Sequence, residues 1–319
     1  MKRTCGGIFP FDCRPLIFDA PFGDRDGWHV HVRAASAIVP FAGGFLVAQD
    51  DSNFAAHLVG MSVKPVRLFV RDGADVFSES AGTKARKPDL ECGAVMTIDG
   101  APCAVFFGSG STPARMRAAI VTEGHAGPIL VRGADVTSLY VAAREALDIS
   151  EDALNLEAAC VVGSVVRFFQ RGNAGASADC VNASFDVDAM ELARTLLGVE
   201  SVMANRIANV RRYTLGELGG APLGFSAAAA LDDGRVVFAA SAEASPNTYD
   251  DGQCAGSVLG LIGANQEIDA MWSVDAAGDP KIEGVAIESI DADVATVCAV
   301  TDPDDPSLSA DLLRFRLIL

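Results

Sequence analysis

A pattern of one polar residue, a few small residues and a run of β-branched or long apolar residues recurs five times along the chain. The copies begin at Arg33, Glu91, Glu157, Ser226 and Glu283. Most of them lead through a turn-forming segment, such as Asp99-Gly100 or Asp233-Gly234, to a second apolar run. This arrangement predicts a β-hairpin in each copy. Because successive copies start 57 to 69 residues apart, it also indicates a repeat fold.

Further apolar runs between the hairpins predict two more strands in each repeat. The clearest are at 117–122, 128–132, 257–262 and 270–274. Four strands per repeat around one axis is typical of a β-propeller, so we predict an all-β, single-domain propeller over residues 1–319. Five blades are expected, or six if 171–226 contains a degenerate blade. A β-sandwich or a solenoid is the alternative.

The two ends of the chain and two short helical patterns complete this prediction. The last strand, 312–317, is expected to complete a blade with the N-terminal segment and so close the ring. Helical patterns at 137–148 and 188–197 are expected to decorate the outside.

A formal charge of −17 limits the possible partners. Nucleic acid and an anionic membrane surface would be repelled, which leaves a divalent cation, a small polar or cationic ligand, or a basic protein. No long apolar segment follows Met1-Lys-Arg, and Cys92, Cys103, Cys160 and Cys298 lie inside apolar runs. We therefore expect a cytoplasmic protein with reduced cysteines.

Hairpin geometry predicts that polar residues from distant parts of the chain meet. The first residue of one strand lies beside the last residue of its partner, so Glu157 is expected beside Arg171, and Glu283 beside Asp302. If the hairpins are the innermost strands, all these ends converge on one mouth of the central channel.

Three copies of the pattern begin with a glutamate. These residues, Glu91, Glu157 and Glu283, are the predicted metal ligands at that mouth. Crowded carboxylates either take up protons or bind cations, and hard oxygen ligands favour Ca²⁺ or Mg²⁺. Such an ion would polarise a carbonyl or phosphoryl oxygen and activate water. The alternative is that these glutamates form structural salt bridges within the channel.

Other polar residues near the same mouth are candidates for ligand binding and catalysis. Glu243 opens a long polar loop, and Arg115 and Arg171 are placed to neutralise an anionic substrate. The predicted ligand-binding residues are Arg33, Asp51, Ser109, Ser111, Asn173, Ser226, Asn247, Asp251 and Asp302.

With these segments together, the chain resembles an uncharacterised bacterial β-propeller family of unknown function. The resemblance extends from about residue 28 to 319 and rests on short motifs: Asp50-Asp51-Ser52, Lys87-Pro-Asp-Leu-Glu91, Gly108-Ser-Gly-Ser111, Asn155-Leu-Glu157, Arg171-Gly-Asn173, Gly224-Phe-Ser226, Lys281-Ile-Glu283-Gly and Val300-Thr-Asp302. The Glu-Gly phrase at Glu283 is more loosely similar to phytase-like and esterase-like propellers. That similarity implies Ca²⁺ in the channel and hydrolysis of phosphate or carboxylic esters.

Two functional hypotheses follow. In the first, the protein is a Ca²⁺-dependent ester hydrolase in which Glu157 and Glu243 serve catalysis and Arg171 and Arg115 bind the anionic group. In the second, the same mouth binds a ligand or a protein without turnover. Arg33 and Ser226 depart from the acidic pattern, so a symmetric ring of carboxylates is not expected.

Overall fold

Five antiparallel sheets follow one another along the chain and form the blades of a β-propeller. The computed structural model describes residues 4–24, 27–71, 73–125, 127–172, 181–243, 254–276 and 278–319. Four strands precede the first blade: β1 (Thr4–Ile8), β2 (Asp12–Pro15), β3 (Ile17–Asp24) and β4 (Gly27–His31). Blade 1 consists of β5 (Ala35–Phe41), β6 (Gly44–Gln49), β7 (Phe54–Val59) and β8 (Ser62–Arg67). Blade 2 consists of β9 (Leu90–Ile98), β10 (Ala101–Gly108), β11 (Arg117–Gly124) and β12 (Gly127–Asp135).

The remaining blades include two helices and the closing strand. Blade 3 consists of β13 (Leu156–Val162), β14 (Val165–Gln170), β15 (Asn182–Asp188) and β16 (Ala208–Tyr213), with helix α1 (Thr137–Leu147) before it and α2 (Ala189–Leu196) between its last two strands. Blade 4 consists of β18 (Ala221–Ala230), β19 (Val236–Glu243), β20 (Cys254–Ile262) and β21 (Ile268–Val274), flanked by β17 (Glu217–Leu218) and by β1. Blade 5 consists of β22 (Ile282–Asp291), β23 (Val294–Thr301), β24 (Asp311–Ile318) and β2.

The ring is closed by the N-terminal strand β2, which pairs antiparallel with β24 as the outer strand of blade 5. Around the axis, each inner strand contacts the inner strands of the two neighbouring blades, in the order β5, β9, β13, β18, β22 and back to β5. The structure therefore confirms the predicted propeller and its five blades. The interval 171–226 holds the outer strands of blade 3 and helix α2, so it does not form a sixth blade.

Small residues next to the axis are required by the close approach of the inner strands. A Cβ atom on Gly93 would lie 2.9 Å from a methyl group of Val39 in the neighbouring blade. A Cβ atom on Gly284 would lie 3.0 Å from the backbone nitrogen of Ile38. Larger residues at these positions would push the blades apart, which explains why each repeat has small residues after its polar one.

Aromatic residues fill the space between blades further from the axis. Phe107 of blade 2 contacts Phe168 of blade 3, with ring centroids 5.2 Å apart, and Phe169 contacts Phe225 of blade 4 at 5.0 Å. Cys92, Cys103, Cys160 and Cys298 are buried in this packing, as their apolar surroundings predict. In the described part of the chain, neither helix has the length and apolar composition needed to cross a membrane.

Candidate functional site

Each inner strand carries a β-bulge at the polar end of the channel, where one residue has no partner on the second strand. The register shifts show that these residues are Ser36, Glu91, Glu157, Ser226 and Glu283. In the first copy of the repeat the bulge residue is therefore Ser36, three residues after Arg33, the residue predicted for this position. A bulge re-aims side chains that regular pairing would point elsewhere. Five equivalent bulges thus place five side chains around one axis.

Two of these bulge residues are serines, and both bind the next blade. The Ser36 hydroxyl donates a hydrogen bond to the carbonyl oxygen of Leu90, and the Ser226 hydroxyl donates to that of Ile282 at 2.6 Å. Ser226, predicted to bind a ligand, is fully buried in this contact. At these two positions the bulge therefore joins blades.

The other three bulge residues, Glu91, Glu157 and Glu283, line a narrow cavity on the channel axis. Its remaining walls are backbone and small or aliphatic side chains. The volume open to the centre of a water molecule is about 10 Å³, which is close to the space for a single water molecule. The cavity is therefore very narrow at the level of these glutamates.

Arg171 neutralises the carboxylates of blades 3, 4 and 5. Its guanidinium lies 3.4 Å from Glu157, 2.6 Å from Glu243 and 3.7 Å from Glu283. Although burial lowers the pKa of Arg171, these carboxylates raise it above its ordinary value. Arg171 is therefore charged at every physiological pH.

Lys281 joins two of these carboxylates to the loop that follows β23. Its ammonium lies 3.5 Å from Glu283, 3.9 Å from Glu243 and 2.9 Å from Asp304. Asp302 accepts a hydrogen bond from the backbone nitrogen of Asp304, and its own backbone nitrogen donates to the carbonyl of Lys281. The predicted neighbours Glu283 and Asp302 thus lie at the same mouth, with Lys281 beside both.

A second charged group lies on blades 1 and 2. The Lys87 ammonium contacts the carboxylates of Asp50 and Asp89, the latter at 2.7 Å. Arg115, which is almost fully buried, lies 2.9 Å from Asp89. Arg33 pairs with Asp51 at 2.8 Å, next to these residues.

Ser109 and Ser111, predicted to bind a ligand, support this second group. The Ser109 hydroxyl donates to Asp89, and the Ser111 oxygen accepts a hydrogen bond from Arg115 at 2.7 Å. The two hydroxyls also lie 2.9 Å apart. Both serines therefore hold the charged residues in place.

The carboxylates of the mouth outnumber its cations among the described residues. The nine carboxylates are Asp50, Asp51, Asp89, Glu91, Glu157, Glu243, Glu283, Asp302 and Asp304. The five cations are Arg33, Lys87, Arg115, Arg171 and Lys281. If all were ionised, the mouth would carry an excess of four negative charges.

The pKa values of several carboxyls reflect this excess. Burial, together with the Glu157 and Asp89 charges, raises the pKa of Glu91 well above its ordinary value. Burial also raises the pKa of Glu283 well above its ordinary value, although Lys281 and Arg171 act against this. For the same main reason the pKa of Asp302 is about 8 and that of Asp51 about 6. In contrast, Lys87 and Arg115 outweigh burial at Asp89 and lower its pKa.

The carboxylate of Glu283 is compensated by ion pairs, with Lys281 at 3.5 Å and with Arg171 at 3.7 Å. Its side chain is only 6% exposed, and neither of its oxygens accepts a hydrogen bond. Glu157, by comparison, accepts hydrogen bonds from Asn155 and Arg171. A buried carboxylate that accepts no hydrogen bond keeps part of its desolvation cost even when cations lie nearby.

The carboxylates that lie close enough to share one ion differ in part from the predicted set. Among the described residues, Asp50, Asp89 and Glu91 form a group whose oxygen atoms lie within 4.8 Å of one another. Glu157 and Glu283, the other predicted ligands, line the same cavity as Glu91 and are bridged by Arg171. Glu91 thus connects the close acidic group with the cavity.

Comparison with protein families identifies the relatives of this chain. A family model described as "Family of unknown function (DUF6929)" matches residues 31–317. The chain belongs to this family. The match confirms the predicted membership of a propeller family without known function. No curated protein matches the DUF6929 chain.

Solved structures similar to the DUF6929 chain match over almost its full length at low identity. Glutaminyl cyclase from Myxococcus xanthus is 9% identical with a TM-score of 0.49, over 98% of this chain and 99% of its own. A protein of unknown function from Dyadobacter fermentans is 10% identical with a TM-score of 0.45, and the match covers 98% of this chain and 100% of that protein. The calcium-binding protein regucalcin from Agrobacterium tumefaciens is 14% identical with a TM-score of 0.41, and the match covers 98% of this chain and 95% of that protein. Similarity at this level assigns no activity to the DUF6929 chain.

Sequence reasoning missed the two lysines and Asp89. Lys87 and Asp89 precede Glu91 by four and two residues, and Lys281 precedes Glu283 by two. A search for charged residues just before each bulge would have found them. Asn173, Asn247 and Asp251, predicted to bind a ligand, lie outside the described residues.

Proposed function

We propose that the polar mouth of the channel binds a divalent cation and uses it to hydrolyse a phosphate or carboxylic ester. The observation that carries this proposal is the excess of carboxylates over cations at the mouth. Glu91 supports it most directly, because it lines the axial cavity and also belongs to the group of three carboxylates whose oxygen atoms lie within 4.8 Å of one another.

Ca²⁺ is the best match among divalent cations. The available donors are carboxylate oxygens of Asp50, Asp89 and Glu91, and hard oxygen donors favour Ca²⁺ or Mg²⁺ over softer metals. Ca²⁺ also accepts irregular coordination more readily than Mg²⁺, which needs near-octahedral geometry. The three residues come from two blades, so the packing of these blades sets the positions of their oxygen atoms.

The second part of the proposal is that the bound cation takes part in ester hydrolysis. A cation at this mouth would polarise a carbonyl or phosphoryl oxygen and acidify a bound water molecule. Arg115 and Arg171 would offset the negative charge of the substrate. Glu157 and Glu243, predicted as catalytic residues, are both paired with Arg171.

The first experiment tests whether the protein binds Ca²⁺. Purified protein is freed of metal with a chelator, and its melting temperature and calorimetric titration with CaCl₂ are compared between wild type, Glu91→Gln and Asp232→Asn. Asp232 is an exposed turn residue and serves as the matched control. We expect Ca²⁺ to raise the melting temperature of wild type and the control but not of Glu91→Gln. Absence of binding by wild type would refute the proposal.

A second candidate, ligand binding without turnover, is favoured by the ion pairs of Glu157 and Glu243. In these pairs the Arg171 guanidinium holds both carboxylates. A panel of phosphate and carboxylic esters, assayed with Ca²⁺ on wild type and Glu157→Gln, separates the two functions. Turnover by wild type that the variant loses supports the hydrolase, whereas equal background rates support the binding module.

A further inference from the structure

Lys87 lies where a cation bound by the close acidic group would lie. Its ammonium contacts Asp50 and Asp89, which together with Glu91 make up that group. The side chain is only 11% exposed. Although burial lowers the pKa of Lys87, Asp50, Asp89 and Glu91 raise it well above its ordinary value. The three carboxylates therefore already share one positive charge supplied by the chain.

A divalent cation and the Lys87 ammonium cannot bind the same oxygens at once. Ca²⁺ binds carboxylate oxygens at about 2.3–2.6 Å, and the ammonium lies 2.7 Å from the nearest oxygen of Asp89. The two charges would lie so close together that their repulsion would be large even in a polarisable site. Entry of the metal therefore requires the ammonium to leave.

The surroundings of Lys87 allow this movement. Lys87 precedes Pro88 in the connection between blades 1 and 2, so its side chain can turn away without breaking a sheet. Asp89 is also held by Arg115 and Ser109, which keep its carboxylate in position. A lysine suits exchange better than an arginine, because it is a point charge on a flexible stem and makes no planar two-point contact.

We propose that Lys87 is a built-in counter-ion that the divalent cation displaces, so that Lys87 sets the affinity and the valence selectivity of the site. The proposal rests on the cation site described under Proposed function. Without metal, the lysine stabilises the acidic group. A monovalent ion gains too little from the same oxygens to replace it, whereas a divalent ion gains about twice the attraction.

The test compares Ca²⁺ and Na⁺ titrations of wild type, Lys87→Met, Lys87→Gln and Lys64→Met by calorimetry and thermal melting. Lys64 is exposed and serves as the control. Without metal, we expect Lys87→Met to melt at a lower temperature than wild type. In Ca²⁺ we expect it to bind at least about tenfold more tightly, since the competing charge is gone. Lys87→Gln provides the same test if the methionine variant does not fold.

The outcomes separate this inference from the proposed function. If wild type binds Ca²⁺ and the Lys87 variants bind equally or more weakly, displacement is refuted and the cation site stands. If only the variants bind, displacement is supported and the proposed function of wild type fails. If none binds, both fail.

Discussion

At the scale of single residues, Arg171 is the side chain on which most of the mouth depends. It contacts carboxylates of blades 3, 4 and 5, and its own side chain is only 9% exposed. Removing one partner from a buried ionic network leaves the others uncompensated, which is more costly than the absence of the whole network. Arg171 therefore stabilises the junction of three blades.

We predict that Arg171→Met lowers the free energy of unfolding by about 3–5 kcal/mol. The measurement is urea unfolding at neutral pH, with Arg211→Met, an exposed arginine of β16, as the control. Adding Glu243→Gln to Arg171→Met should recover part of the loss, because one uncompensated charge is removed. A loss no larger than that of the control would show that Arg171 is not needed to compensate these carboxylates.

Asp302 gives the mouth a dependence of stability on pH. Because its folded pKa is about 8, above the ordinary carboxyl value of 3.8, the folded state holds a proton that the unfolded chain releases. Its contribution to stability is complete below pH 4 and is lost as the pH rises towards 8.

We therefore predict that Asp302→Asn becomes more stable relative to wild type as the pH rises from about 4 to 8. Asparagine keeps an oxygen that can accept the hydrogen bond from Asp304. The measurement is the difference in unfolding free energy between the two proteins, without metal, at several pH values in this range. A difference that stays constant with pH would refute the raised pKa.

At the scale of elements, the inner strand of each blade is the unit that positions the site. Its small residues allow close approach to the axis, and its bulge re-aims one polar side chain. Serine at the bulge binds the next blade, whereas glutamate extends into the channel. The identity of the bulge residue thus determines whether the bulge contributes a contact with the next blade or a charge in the channel.

The two serine bulges should differ in their energetic importance. The Ile282 carbonyl accepts hydrogen bonds from both Ser226 and Ser241, the latter at 3.0 Å. We predict that Ser36→Ala lowers the unfolding free energy by about 1–3 kcal/mol and Ser226→Ala by less than about 1 kcal/mol. Chemical denaturation of both variants measures this. A larger loss for Ser226→Ala would contradict the account of how these bulges join the blades.

At the scale of the whole molecule, the N-terminal strand closes the ring. β2 completes blade 5, whereas β1 adds an outer strand to blade 4, which already has four. We predict that removing residues 1–15 lowers the melting temperature much more than removing residues 1–10, which spares β2. Differential scanning calorimetry of both truncations tests this. Equal losses would show that closure by β2 does not stabilise the ring.

The sequence was sufficient to predict the propeller, the five blades and the acidic mouth, because the polar-then-small pattern recurs wherever inner strands meet the axis. It misplaced the first copy, since Arg33 and Ser36 both stand next to small residues. The pattern does not show which of them occupies the bulge. That depends on pairing with β6, which puts Ala35 opposite Gln49 and Ala37 opposite Ala48.

The charged partners of the mouth were harder to predict than the fold. Asp50 and Lys87 are 37 residues apart and lie outside strands, so no strand pattern brings them together. Their contact arises because the ring places the end of one hairpin beside the start of the next. Predicting such a pair requires the relative placement of two blades, which a single sequence does not specify.

We propose above that carboxylates from separate blades hold one cation at the channel mouth. The most direct measurement is an anomalous difference map from crystals grown with Ca²⁺, recorded at a long wavelength where calcium scatters anomalously. We expect a peak bound by Asp50, Asp89 and Glu91, with the Lys87 ammonium moved away from it. A channel mouth without an anomalous peak, with Lys87 still on Asp50 and Asp89, would contradict it.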